Sequence, residues 1–211
     1  MSDRTRVLAI DLDGVVRQWR GAGLDGAEKQ FGLAPGTIAG RAFGTGAQEL
    51  ALNGVISHTE WCEDVRSGLA GKLGDAAADA VAYWQRDRGT ADEDVVRELR
   101  DLHRDSVLAL VTDSTDILPA DLAVLGLTDL FDHVFASYAI GVTKPSPMVF
   151  RTVAERLGRA PSEITFIDDK PVNVKAAESI GMTGVLWEPG TSVRDVMDRT
   201  AAPDAARAGR R

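Results

Sequence analysis

Four short apolar runs constrain this chain more than any other feature. They are Val7-Leu8-Ala9-Ile10, Val107-Leu108-Ala109-Leu110-Val111, His133-Val134-Phe135-Ala136 and Ile164-Thr165-Phe166-Ile167. Each has the length of one strand and is rich in β-branched or aromatic residues, the pattern of a parallel strand buried on both faces. Val185-Leu186-Trp187 is a weaker fifth. Helical patterns stand between the later runs. Thr90-Ala91-Asp92-Glu93 reads as a capping box, followed by an apolar stripe at Val95, Val96, Leu99 and Leu102. Ser146-Pro147 reads as N-cap and N1, with Val149, Val153 and Leu157 on one face and Gly158 at the end. A third helix is expected from Pro171 to Ile180, with Gly181 just beyond it. Strand–helix alternation of this kind gives an α/β fold, a mostly parallel, doubly wound sheet with helices on both faces.

Between Gly14 and Gly89 the alternation stops. This interval carries helical patterns and no convincing strand: Leu24 to Phe31, a capping box at Ser57-His58-Thr59-Glu60 leading into Trp61, Val65 and Leu69, and an Ala-rich stretch from Ala76 to Trp84. An all-helical insertion directly after the first strand reads as a small cap domain. Residues 1–15 and 90–200 then form the core, 16–89 the helical cap, and 201–211 a disordered, basic tail ending in Arg210-Arg211. Within the cap, Trp61 and Trp84 are expected in its core, His58 on its surface and Cys62 buried.

Charge narrows the partners. Of 211 residues, 24 are Lys or Arg and 32 are Asp or Glu, a formal net charge of −8. That balance argues against a nonspecific nucleic-acid or membrane-surface binder. The apolar run after Arg4 and Arg6 meets Asp11 after four residues, shorter than a secretory core of about 7–15 residues. With a single cysteine, Cys62, the expected setting is the reducing cytoplasm, as a monomer or homodimer.

In a doubly wound sheet, ligands bind outside the carboxyl ends of the strands, and there this chain places polar residues. Asp11-Leu12-Asp13-Gly14 follows Ile10, Thr112-Asp113-Ser114 follows Val111, Asp168-Asp169 follows Ile167, and Thr143-Lys144-Pro145 follows the third run. Asp11 and Asp13, two apart in an extended segment, face the same way. Four carboxylates at one sheet edge are unfavourable without a cation among them. An oxygen-only donor set selects a hard ion, Mg²⁺ before Ca²⁺. Thr112 and Lys144 suit a tetrahedral anion. Each of these residues alone has an ordinary explanation as a helix cap, a turn or a surface charge. Their joint placement on one edge is what points to metal-assisted handling of a phosphate.

At these residues the chain resembles the haloacid dehalogenase-like (HAD) hydrolase superfamily. The resemblance covers a Rossmann-like core from Arg6 to Trp187, and the insertion is similar to a C1-type cap. The family's DxDG motif matches Asp11-Leu12-Asp13-Gly14, its strand-closing Ser or Thr matches Thr112, its Lys matches Lys144 and its acidic pair matches Asp168-Asp169. The stretch from Asp168 to Trp187 is most similar to the branch of small sugar-phosphate and epoxide-hydrolase-associated phosphatases. The resemblance implies a Mg²⁺-dependent phosphomonoesterase acting on a small phosphorylated metabolite. Asp11 is the implied nucleophile, forming an aspartyl phosphate, and Asp13 the general acid and base. Thr112 and Lys144 are the implied holders of the phosphate oxygens. The implied metal set is Asp11, Asp13 through its carbonyl, Asp168 and Asp169.

Thr112 is followed by Asp113, where this branch often has Asn. Facing the phosphate, Asp113 adds repulsion; turned into the following loop, it is harmless. Arg17, Trp19 and Arg20 follow the first motif closely and are expected at the substrate when the cap closes, the alternative being an exposed hinge. Rival readings on the same fold are a phosphomutase, a 2-haloacid dehalogenase, which Asp13 argues against, and a catalytically silent binding protein. A receiver-type signalling domain has its acidic pair before the phosphoacceptor, the reverse of the order here.

Overall fold

The computed structural model describes residues 6–201. Strand β1 (Arg6–Ile10) begins the core. A two-residue strand, β2 (Arg17–Gln18), leads into helices α1 (Ala22–Gln30), α2 (Thr37–Phe43), α3 (Ala47–Leu52), α4 (His58–Leu73) and α5 (Ala76–Trp84). A second two-residue strand, β3 (Thr90–Ala91), leads back. The chain continues as α6 (Glu93–Leu102), β4 (Ser106–Thr112), α7 (Leu118–Val124), β5 (His133–Ala136), α8 (Ser137–Ile140) and α9 (Pro147–Leu157). After a 3₁₀ turn come β6 (Ile164–Asp168), α10 (Pro171–Glu178), β7 (Thr183–Leu186) and α11 (Val193–Ala201).

Five strands form one parallel sheet in the order β5-β4-β1-β6-β7. Because successive side chains alternate across a strand, β1 supplies both faces. Leu8 and Ile10 pack with Leu108, Leu110, Val95 and Leu99 on one side. Val7 and Ala9 pack with Phe150, Val153 and Phe166 on the other. The α/β, doubly wound, Rossmann-like reading is therefore correct, and its reason is visible: both faces of every central strand are covered. In register, Ile10 lies beside Leu110 and Ile167, and Thr112 beside Ala136, so the polar residues that follow these strands share one edge.

Helices α1–α5 have a separate core, built on Ile38, Trp61, Val65, Leu69, Val81 and Trp84. The chain enters and leaves this body through β2 and β3, which pair antiparallel, Arg17 with Ala91 and Gln18 with Thr90.

Several local expectations hold. Ser57 and Glu60 complete a capping box at α4. Ser146 caps α9, and Gly158 ends it at φ 61°. Others do not. The box expected at Thr90 is absent because Thr90 is committed to β3; Asp92 caps α6 instead, accepting from the Asp94 and Val95 amides at 3.1 and 3.2 Å. Helices α2 and α3 fall where none is expected. Their caps are Gly36 and Gly46, in left-handed conformation and without a side-chain cap bond, so the usual Ser/Thr/Asp/Asn signal is missing. His58 is not on the surface but half-buried against the core. Cys62 is likewise half-buried rather than interior, its Sγ 3.4 Å from His58 Nε2, and burial pushes its thiol up to about 11. Of the tail expected at 201–211, Ala201 closes α11, and residues 202–211 lie outside the described residues. Among the described residues no helix is long and apolar enough to cross a membrane.

Candidate active site

At the carboxyl end of β1, Asp11 is 3% exposed. Its backbone is fixed by a 2.9 Å bond from its N–H to the Ile167 carbonyl, and its Oδ1 accepts from the Leu12 amide at 2.7 Å. Lys144, carried on the loop after α8, reaches the same oxygen at 2.7 Å. The Lys144 ammonium also meets Asp168 Oδ2 at 2.8 Å and donates to the Val111 carbonyl at 3.1 Å. Its three protons thus have three acceptors. Burial alone lowers a lysine pKa, but Asp11, Asp168 and Asp113 around it outweigh that, and its pKa is raised.

Asp168 ends β6, fully buried. Its Oδ1 accepts from the Lys170 amide at 2.8 Å, and Asn173 Nδ2 lies 3.0 Å from both of its oxygens. Asn173 stands in the first turn of α10 and points back at the strand end. It was not singled out in the sequence; its place two residues after a helix-starting proline is the signal that finds it.

Asp169 is different. Its Oδ1 is buried and has no hydrogen-bond partner, and so has the Thr112 Oγ1 at the end of β4. A buried polar atom left unpaired is rare and costly. Two of them beside one carboxylate cluster mark the place of an absent partner. Oxygens of Asp11, Asp168 and Asp169 all lie within 4.8 Å of one another. Burial pushes the Asp11 carboxyl up to about 7; Lys144 opposes the rise and Asp168 adds to it. Burial, then the neighbouring Asp168, raises Asp169 as well. Three carboxylates around one ammonium, with oxygen donors throughout, fit a hard divalent cation.

Asp13 stands apart from this cluster, at the mouth of a cavity between the sheet edge and the helical insertion. Arg17 grips it with two donors, Nε to Oδ1 at 2.6 Å and Nη2 to Oδ2 at 3.0 Å. The Trp19 indole N–H adds a third at 2.6 Å. Arg17 is itself buried, and its Nη1 reaches Asp121 at 2.9 Å, which also takes Arg88 at 2.9 Å. Asp121 and Arg88 carried no signal in the sequence, being one carboxylate and one arginine among many.

Of the residues expected to touch substrate, Arg17 and Trp19 line this cavity, together with Asp13 and Asp113. Arg20 does not: it is exposed, just before the left-handed Gly21 that starts α1. Within the Arg-Trp-Arg segment only Arg17 is buried, at 4% exposed, while Trp19 and Arg20 are exposed. Asp113 turns into the loop, where its Oδ1 accepts from the Lys144 amide at 2.9 Å; burial raises its pKa.

A family model described as haloacid dehalogenase-like hydrolase matches residues 5–181. Ribulose-1,5-bisphosphate 5-phosphatase of Halopiger xanaduensis is 32% identical over 138 residues, which cover 63% of this chain and 56% of that relative. The match thus spans little more than half of the relative's length. A Mycobacterium tuberculosis protein named as a phosphatase is 26% identical over 196 residues, 89% of each chain. Among solved structures, a HAD family enzyme of Bacteroides thetaiotaomicron in complex with magnesium and inorganic phosphate superposes with a TM-score of 0.75 at 23% identity. That superposition covers 90% of this chain and 98% of the other, and it speaks to the fold.

Proposed function

This chain belongs to the haloacid dehalogenase-like hydrolases, and on that premise we propose that it is a Mg²⁺-dependent phosphomonoesterase acting on a small phosphorylated metabolite. One observation carries the reading. The buried, lysine-held Asp11 stands in a cluster with Asp168 and Asp169, and the orphaned oxygens of Thr112 and Asp169 mark unmet bonding there. Phosphatases among the relatives support it.

Asp11, Asp168 and Asp169, with the Asp13 backbone carbonyl, would hold the ion. Bound there, Mg²⁺ supplies positive charge that keeps Asp11 ionised and offsets carboxylate–phosphate repulsion. The Asp11 carboxylate attacks phosphorus, the ester P–O bond breaks, and an aspartyl phosphate forms. Asp13, taking up a solvent proton as it leaves Arg17, gives that proton to the departing alkoxide, then takes one from the water that hydrolyses the acyl phosphate and frees Asp11. To reach the leaving oxygen, Asp13 gives up at least one of its bonds to Arg17 and Trp19. Thr112 Oγ1 donates to a phosphate oxygen. Lys144, with every proton already engaged, first orients Asp11 and Asp168 and balances their charge, and passes to the phosphate only by exchanging a partner. The helical body over the edge acts as the cap that excludes water.

The test is hydrolysis of p-nitrophenyl phosphate. Activity is expected with Mg²⁺, abolished by EDTA, and reduced at least about 1,000-fold in Asp11→Asn. Metal-independent turnover, or full activity in Asp11→Asn, overturns the mechanism.

A further inference from the structure

The group that protonates the leaving oxygen must lie within hydrogen-bond reach of it. On the phosphatase reading, on which this inference rests, the alcohol half of the substrate therefore occupies the cavity that Asp13 borders. The apolar part of its wall is Trp19, Leu24, Phe43, Leu52, Trp61 and Trp84. Trp61 and Trp84 meet edge-to-face at 5.5 Å, and Phe43 leans on both at 6.2 and 6.1 Å. Phe43 and Trp19 nevertheless remain 46% and 49% exposed, two large rings left uncovered at a cavity of about 340 Å³.

Its charged side chains are already engaged, partly by one another and partly by backbone amides. The lining holds two arginines, Arg17 and Arg88, against four aspartates, Asp13, Asp87, Asp113 and Asp121. Both arginines are bound to Asp121, and Arg17 also to Asp13. Asp87 is occupied by the Gly23 and Gly89 amides. His58, the other basic side chain there, has its ring nitrogens engaged by Thr115 and Gln85, each at 2.9 Å. A second phosphate or a carboxylate entering this cavity meets a net negative wall, with Arg17 engaged through Nε, Nη1 and Nη2 and Arg88 held to Asp121 through Nη1. A hydrogen-bonding group is provided for on a smaller scale, by Ser114 Oγ, buried and without a partner in the same wall.

We infer that the substrate is the monophosphate ester of an uncharged, ring-bearing alcohol whose ring lies between Trp19 and Phe43. The volume, at the low end of the roughly 300–1,000 Å³ typical of small-molecule sites, suits one or two rings. Aromatic walls favour offset or edge-to-face contact with such a ring. The Halopiger relative is named for a bisphosphate; the excess of aspartates over arginines in this lining disfavours a second phosphate.

The test compares alkyl esters, so that leaving-group chemistry stays nearly constant. Values of kcat/KM are measured with Mg²⁺ for 2-phenylethyl phosphate, ethyl phosphate and 1,3-propanediol bisphosphate. The ring-bearing ester is expected to exceed ethyl phosphate at least about tenfold, an effect of the size that burying a few methylenes gives. The bisphosphate is expected to be the poorest of the three. Phe43→Ala and the milder Phe43→Leu should both shrink the ratio of phenylethyl to ethyl ester, the alanine more. Equal rates for the two monoesters, a preference for the bisphosphate, or an unchanged ratio in both variants overturns this inference and leaves the phosphatase standing. Failure to hydrolyse any ester, p-nitrophenyl phosphate included, overturns the phosphatase reading and this one with it.

Discussion

Gly14 shows how closely single atoms are set at the sheet edge. Its φ is +83°, and a Cβ added there would stand 2.2 Å from Asp169 Oδ2. Both conditions select glycine, the first because L side chains strain at positive φ. Gly14→Ala should therefore push the Asp169 carboxylate aside. The expected result is a rise of at least about tenfold in the Mg²⁺ concentration giving half-maximal activity, the scale on which displaced ligand support usually acts. A Mg²⁺ titration of wild type and variant checks it, with urea unfolding confirming that the fold survives. At this scale much was legible. Asp11, Asp13, Thr112, Asp168 and Asp169 were readable because each ends or closely follows an apolar strand, and Lys144 because it comes after the third run, though α8 stands between them. Arg17 was readable only as a neighbour of the motif; that it forks onto Asp13 while reaching across to Asp121 depends on β2 and α7 meeting in space. No local pattern encodes that meeting.

The elements differ in how they hold the insertion to the sheet. Helix α4 begins against the loop that follows Thr112: the His58 amide donates to Asp116 Oδ1 at 2.7 Å, and the imidazole bridges Thr115 and Gln85. Gln85 offers its carbonyl oxygen to Nε2, so Nε2 carries the proton and Nδ1 accepts from the Thr115 hydroxyl. Burial lowers the His58 pKa; the Gln85 bond opposes this, Arg88 adds to it, and Asp116 and Asp121 oppose it. A histidine held neutral in this way binds fewer protons folded than unfolded. Its contribution to stability is complete above the ordinary histidine pKa of about 6.5, and is lost as pH falls from there through the lowered value. Acidification from about pH 7.5 to about pH 5.5 should thus cost wild type more stability than His58→Gln, read as the shift in urea midpoint. Long or side-chain-capped elements were visible in the sequence, α4, α5 and α9 among them. Short glycine-capped helices were not, and β2 and β3, two residues each, are below the length at which any periodicity exists. The strand end that Val185-Leu186-Trp187 marked is set one residue earlier, at Leu186, though the Trp187 amide still bonds the Asp168 carbonyl at 2.9 Å.

Over the whole molecule, the parallel, doubly wound sheet followed from pattern, because strands apolar on both faces need cover on both sides; the strand order did not. Nor did the shape of the cavity, since its lining draws on Trp19, Phe43, Trp84 and Asp113, far apart in sequence, and no local pattern sets their spacing. The backbone crosses between the two separately packed bodies, sheet and insertion, at one place. Arg17 lies beside Ala91 and Gln18 beside Thr90, so the outgoing and returning backbones run about 5 Å apart, the usual separation of an antiparallel pair. Leu12, Val15 and Val16 belong to the sheet's core, whereas Ile38, Trp61 and Val65 belong to the insertion's own. Replacing residues 19–89 by a two-residue Asn-Gly turn, which closes such a ribbon as a hairpin, should leave a core that still unfolds cooperatively in urea with the far-UV circular dichroism of an α/β sheet. Loss of cooperative unfolding would show that the two bodies depend on each other. The same pairing has a bearing on descent. An insertion that leaves and returns through adjacent residues can be gained, lost or swapped between genes as a cassette at a single seam, with contacts across it such as Trp19 to Asp13 and Arg88 to Asp121 to be rebuilt each time.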